Sequence, residues 1–375
     1  MIVIGVDTHK RSHALAAVDE GTGRVRGKRQ IAAEDAGHLA AVRWARELDS
    51  DRVWAIEDCR HVSRRLEQAL IAAGERVIRV SPKLMGASRK GEREPGKSDE
   101  IDSLAIARAV VREGADTFPV AYLDEQAMRI RLLSDHRRDL VAERTRMQTR
   151  LRWHLIDLCP ELEAKIKPRS LSATSALDRL ERQLRRLPGS ERLRIAREEL
   201  SHIRRLTRQI DALKAELEAL IKAHRPWLLQ EAGCGPLVAS VLIGRTAGAQ
   251  RFRSGSAFAR QAGACPIPCS SGKTQTYRLN RGGDRQLNSA LHTIAASRAR
   301  IDPRTQQYLA RKHAEGKTKK AALRCLKRTL ANHFHQLLAR PPLTPDHTEP
   351  IPPPPPSQHQ TQPIHTAPNP MICLN

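Results

Sequence analysis

The chain has 375 residues, 40 % hydrophobic and 3 % aromatic, enough for two or three cores. That excludes both wholesale disorder and recognition by rows of stacked aromatics. A balance of 65 Lys and Arg against 41 Asp and Glu leaves +24, a charge that calls for a polyanionic partner.

Met1–Val6 reads as a buried strand ending at Asp7, and His13–Val18 and Val25–Ile31 as two more strands. Asp35–Leu48 has helical spacing, Val53–Ile56 is a strand running into Glu57, Val62–Ala73 is helical, and Val77–Val80 is a strand before the Ser81-Pro82 turn. After the polar stretch Arg89–Lys97, Ser98 caps a helix expected from Asp99 to Arg112. Three strands, then helix, strand, helix and strand, give a mixed α/β sheet. The pattern turns helical from Asp124 to Leu158, breaks at Pro160 and Pro168, and is helical again from Ser190 to His224. In that last helix Ala196, Leu200, Ile203, Leu206, Ile210, Leu213, Leu217 and Leu220 step by three and four. Such a stripe is the seam of a helical hairpin or coiled coil, with an ordinary bundle helix as the bland alternative. This part reads as an arm or dimerisation element. Beyond Pro226, a glycine-bearing turn over Glu231–Gly235 precedes an apolar helix. Such turns can aim N–H groups at a DNA phosphate, although they are commonly only structural. Helical patterns continue over Asp284–Arg300 and Lys319–Leu338, and the last 35 residues hold 12 of the 23 prolines, a tail unable to form a core.

The charge is unevenly spread. Residues 1–120 carry 21 basic and 19 acidic side chains, whereas residues 225–340 carry 21 and 4, the composition of a phosphate-binding surface. Seven scattered cysteines without a C-x-x-C pair argue against a disulfide framework and a zinc site. No apolar run nears the roughly 18 residues of a membrane span and no basic–apolar–small leader opens the chain. A cytoplasmic, nucleoid-associated protein without membrane contact is therefore expected.

Two groups of residues carry chemistry. Asp7 and Glu57 stand at strand ends, where an α/β sheet presents side chains to its crevice, and Asp99 and Asp102 share one side of a helix. Four converging carboxylates need cations between them, and two Mg²⁺ ions suit hard oxygen ligands completed by phosphate oxygens. Taken singly, each acid has a simpler reading: a first-turn acid, half of an ion pair, a turn former. The second group lies in residues 263–288, where two prolines approach Ser270-Ser271-Gly272-Lys273 and Arg278, Arg281 and Arg285 follow. A serine hydroxyl among cations suits a phosphoryl-transfer nucleophile, or a serine that merely binds phosphate. Gly272-Lys273-Thr274 lacks the earlier glycine of a P-loop, which gives no support for ATP use.

Gly5-Val6-Asp7-Thr8-His9-Lys10, Ile56-Glu57 and Lys97-Ser98-Asp99-Glu100-Ile101-Asp102, followed by Ser271-Gly272 and Arg281-Gly282-Gly283-Asp284-Arg285, occur in an order that resembles the insertion sequence 110 family. These are DEDD transposases understood as bridge-RNA-guided recombinases. The resemblance implies a RuvC-like, ribonuclease-H-fold domain over 1–120 and a helical coiled-coil linker and dimerisation arm over 121–225. A mainly α C-terminal transposase domain over 226–340 and a proline-rich tail over 341–375 complete the organisation. It implies Asp7, Glu57, Asp99 and Asp102 as the metal-binding tetrad and Ser271, chosen over Ser270 by its place before Gly272, as the nucleophile. Lys273, Arg278, Arg281 and Arg285 would bind nucleic acid. Where many members follow the glutamate with a small residue, Thr or Ser, and Gly, this chain has Asp58-Cys59-Arg60-His61. The implied function is Mg²⁺-dependent cleavage and exchange of double-stranded DNA, at element ends and target, through a phosphoserine intermediate. The implied partners are a guide RNA and further copies of the chain, as a homodimer or tetramer. The rivals are a ribonuclease-H-fold nuclease or junction resolvase using metal-activated water, and a non-catalytic nucleic-acid scaffold.

Overall fold

The structure is a computed structural model that describes residues 1–57, 62–80, 98–121, 124–269, 277–280 and 282–343. Strand β1 (Ile2–Thr8), buried along its whole length, is the middle of a five-stranded sheet. On one side β2 (Ser12–Asp19) and β3 (Val25–Ala32) follow as an antiparallel meander. On the other, β4 (Arg52–Glu57) and β5 (Val77–Val80) run parallel to it, giving the order β3-β2-β1-β4-β5. Helix α1 (Asp35–Leu48) connects β3 to β4 and α2 (Arg64–Ala72) connects β4 to β5, the crossover that a parallel pair requires. Both cover one face of the sheet, over Ile2, Ile4, Val6, Trp54 and Ile56. Helix α3 (Asp99–Glu113) covers the other face, over Val3, Val53, Ala55, Ile78 and Val80. Because both faces are covered, β1 and β4 read in sequence as continuous apolar runs rather than alternating ones. This is the mixed α/β, ribonuclease-H-like architecture that the sequence leads one to expect.

Two long helices follow, α4 (Glu125–Leu158) and, after the short α5 (Pro160–Ala164) and α6 (Thr174–Leu184), α7 (Glu191–His224). Ion pairs Arg129–Glu216, Arg150–Glu199 and Arg192–Asp157 run in opposite senses along them, so the pair is antiparallel. The exposed pairs Arg129–Glu216 and Arg192–Asp157 add little; the apolar seam holds the helices together. Ala196, Leu200, Ile203, Leu206 and Ile210 are buried with Leu151 and Leu155 of α4 and Leu177, Leu180 and Leu184 of α6. The α7 stripe is therefore met within its own chain, as a helical hairpin. Farther along, Leu217 and Ile221 of α7 and Ala127 and Ile130 of α4 join a second core.

That core is built from α8 (Pro236–Thr246), α9 (Gly255–Gln261), α10 (Arg285–Ile301), α11 (Pro303–Ala314) and α12 (Lys319–Ala339) around Phe258, Leu287, Leu291 and Phe334. A small antiparallel pair, β6 (Pro266–Pro268) and β7 (Tyr277–Leu279), projects between α9 and α10. In the glycine-bearing turn, Gly233 has φ +78, and a Cβ there would lie 3.0 Å from Ser297 Cβ and 3.1 Å from the Ile294 carbonyl oxygen. The turn is thus packed against α10 and needs glycine for that contact. Among the described residues no helix is long and apolar enough to cross a membrane. The proline-rich tail lies outside the described residues.

Candidate active site

Alternation along β1 sends Val3, Gly5 and Asp7 to the face covered by α3. The parallel register pairs Val6 with Ile56 on the opposite face, so the next residues along, Asp7 and Glu57, the last residue of β4, share the α3 face. The approach of α3 depends on Gly5: a Cβ there would fall 2.0 Å from the Ser103 carbonyl oxygen and 2.6 Å from the Ala107 nitrogen. With no side chain between them, the helix backbone rests directly on the strand, and its first turn reaches the end of β1. That turn begins where expected, Ser98 Oγ accepting from the Ile101 N–H at 3.3 Å. Its acids Asp99 and Asp102 are thereby carried to Asp7, while Glu100 turns outward to Lys28.

Asp7 and Asp102 are each only 5 % exposed. Burial pushes the Asp7 carboxyl above the usual carboxylate range, and the charges of Asp102 and Asp99 add to that, while His9 opposes it. His9 Nε2 lies 3.1 Å from Asp7 Oδ2 and 3.1 Å from Asp99 Oδ1, and one ligand atom from each of the three residues falls within 4.8 Å of the others. Sequence reasoning did not single out His9. The available signal was its position two residues after Asp7, which on an extended strand end returns it to the same side. A buried carboxylate whose neighbours are also acidic is held at an electrostatic cost that a divalent cation removes, so the carboxylate oxygens fit a divalent metal. His9 and the carboxylates are the groups that could hold it.

Ser270, Ser271, Lys273 and Arg281 lie outside the described residues, as do Asp58-Cys59-Arg60-His61. Arg278, on β7, and Arg285, the first residue of α10, are both exposed. Asp284 caps α10 by accepting from the N–H groups of Gln286 and Leu287 at 2.8 and 3.1 Å. Asn280 and Gly282–Asp284 line a cleft of about 830 Å³ together with Arg76, Arg79, Glu113, Asp116 and Val120. Glu113 and Asp116 stand at the C-terminal end of α3, away from Asp99 and Asp102 in its first turn, whereas Arg79 pairs with Ile56, one residue before Glu57. At 1.5 Å per residue the 15-residue helix puts about 20 Å between its two ends. Within one chain, then, Asp7, Asp99 and Asp102 come together, and the described base of the serine segment lines a cleft that none of these three lines.

Two family models match the chain. One, described as Transposase and of the DEDD type of IS110, spans residues 4–160; the other, described as Transposase IS116/IS110/IS902 family, spans residues 226–310. The chain is 25 % identical to the 44.8 kDa protein of insertion element IS116 from Streptomyces clavuligerus, over 87 % of this chain and 92 % of that one. It is 28 % identical to the 43.6 kDa protein of insertion element IS110 from Streptomyces coelicolor, over 60 % and 67 %. Among solved structures, Thermus thermophilus RuvC in complex with a Holliday junction substrate matches with 16 % identity over 32 % of this chain and 99 % of that one, at a TM-score of 0.25. With both of its family models matched in order along the sequence, this chain belongs to the IS110/IS116/IS902 family of transposases.

Proposed function

We propose that the protein cleaves and exchanges DNA strands by phosphoryl transfer, with Asp7, Glu57, Asp99 and Asp102 as ligands for divalent metal, two Mg²⁺ ions in the working site, and Ser271 as nucleophile. The observation that carries this reading is the meeting of Asp99 and Asp102 with the buried Asp7 at the end of β1, where Asp7, His9 and Asp99 bring ligand atoms within 4.8 Å of one another. A divalent ion there supplies Lewis acidity to the scissile phosphate. Ser271 Oγ attacks phosphorus and gives up its proton; a serine–phosphate ester forms as the bond to the 3′-oxygen breaks, and that oxygen leaves as a hydroxyl. A 3′-hydroxyl of the partner DNA then displaces the serine, restoring a phosphodiester without ATP.

The cleft lined by the serine segment's base does not include the tetrad residues, which supports a composite site: Ser271 of one copy acting with the tetrad of another, in a homodimer or tetramer. The arm of α4 and α7 then belongs to a linking unit over 121–225, between a catalytic unit over 1–120 and a transposase unit over 226–340. Exposed Arg278 and Arg285, with Lys273 and Arg281, bind phosphates in the strongly basic stretch. Guide RNA pairs with element ends and target, leaving the protein to read backbone and shape. The setting is the cytoplasm, on the nucleoid.

The test is to trap protein–DNA adducts under Mg²⁺. The native chain forms one and Ser271→Ala forms none and cleaves nothing. Continued cleavage by Ser271→Ala identifies instead a nuclease using metal-activated water. Activity unchanged in Asp7→Asn and Asp102→Asn identifies a scaffold.

A further inference from the structure

The base of the segment between Gly263 and Gly283 is tied by an unusual set of interior groups. Gly263 has φ +64, and a Cβ on Gly283 would fall 2.3 Å from the Gly263 nitrogen and 2.5 Å from its Cα, so the two backbones touch where the segment leaves and returns. The Asp284 N–H donates to the Gln261 carbonyl at 2.6 Å beside this contact. Asn288, one turn into α10, donates through Nδ2 to the carbonyls of Ala262 and Gly263 at 3.0 and 2.8 Å. Its Oδ1 accepts from Lys327 Nζ at 2.5 Å. Lys327 is 6 % exposed. From the same face of α12, Arg324 donates to the Tyr277 carbonyl on β7 at 3.4 Å and Arg328 to Ser256 Oγ on α9 at 2.8 Å. Among the described residues, no carboxylate pairs with any of these three cations.

A buried ammonium with no carboxylate partner among the described residues is a poor choice for stability, since an apolar side chain of similar length costs less to bury. Its charge does polarise the Asn288 amide, strengthening the N–H groups that hold the departing strand. We propose that Lys327 and Asn288 are positioning residues for strand cleavage, fixing from the interior the two ends of the segment that carries Ser271. The inference rests on the serine reading above. A chain whose reacting hydroxyl must arrive in line with a phosphate loses rate steeply for displacements near 1 Å, so the ends of its segment have to be held.

Full-length Lys327→Met, Lys327→Arg, Asn288→Ala and Ser271→Ala proteins are compared for melting temperature, binding to an element-end duplex, and adduct formation under Mg²⁺. Lys327→Met is expected to melt at or above the native temperature and to bind DNA unchanged, yet to form adduct at least about tenfold more slowly. Asn288→Ala is slowed similarly, and Lys327→Arg recovers most of the rate. If Lys327→Met does not fold, the other two decide. Native rates in Lys327→Met and Asn288→Ala beside a dead Ser271→Ala overturn this proposal alone. Parallel loss of melting temperature, binding and rate across the variants also overturns it, assigning the network a purely structural part. Cleavage by Ser271→Ala overturns the serine reading itself.

Discussion

Replacing Gly5 by Ala tests whether the site depends on the contact between α3 and β1. The added Cβ would sit 2.0 Å from the Ser103 carbonyl oxygen, and carbon–oxygen contacts under 3.0 Å are essentially never seen, so the helix must retreat by about 1 Å. A gap of that size forfeits about a quarter to a half of each dispersion contact along Ala105, Ile106, Ala107 and Val110, which are fully buried. Overpacking of this kind costs about 1–3 kcal/mol, a large share of the roughly 5–15 kcal/mol that holds a domain together. The same retreat moves Asp102 and Asp99 away from Asp7, and a 1 Å misplacement of reacting groups costs about 100-fold in rate. Urea unfolding of the variant should show the loss of stability, and Mg²⁺-dependent cleavage of an element-end duplex should fall by about two orders of magnitude. Native stability together with native cleavage would refute the claim that this backbone contact assembles the carboxylates.

Other substitutions probe single interactions. Asp7→Asn removes a carboxylate that burial and its acidic neighbours disfavour, so in EDTA its melting temperature should equal or exceed the native one, while added Mg²⁺ should stabilise only the native protein. Buried His13 and His38 stack at 5.5 Å, and burial holds both below the usual histidine range, His13 at about 4. The unfolded chain therefore binds more protons between about pH 6.5 and 4, so stability is complete above that window and falls as pH drops through it; His13→Phe should flatten the dependence measured by denaturant midpoints. Buried Arg225 donates through Nη1 to the carbonyls of Leu338 and Arg340, closing the end of α12. Arg225→Met should cost about 1–3 kcal/mol for each carbonyl orphaned, read from urea unfolding.

Much of this was legible in the sequence because single-residue patterns report local structure. The apolar runs of β1 and β4, the Ser98 cap and the three-residue spacing of Asp99 and Asp102 each specify an element or a face without help from the rest of the chain. What could not be read depends on contacts distant in sequence. Nothing local says that Gly5 is the seat of a helix a hundred residues later, or that Lys327 ends beside Asn288. His9 was invisible for a different reason: one histidine at a strand end has many unremarkable uses, and only the arrival of Asp99 gives it a second carboxylate. Helix α11 leaves no periodic signal in the sequence because it buries only Thr305 among its own residues and so lacks an apolar stripe. Periodicity marks the stripe of α7 as a seam but does not say whose helix fills it; α4 and α6 of the same chain do.

The composite site can be tested by mixing two inactive proteins. Asp102→Asn keeps the serine and spoils the metal ligands, whereas Ser271→Ala does the reverse. Each alone should form no covalent DNA adduct under Mg²⁺, and the mixture should recover a measurable fraction, carried on the Asp102→Asn chain. A mixture as inactive as its components, with native protein active beside it, would contradict a site shared between copies.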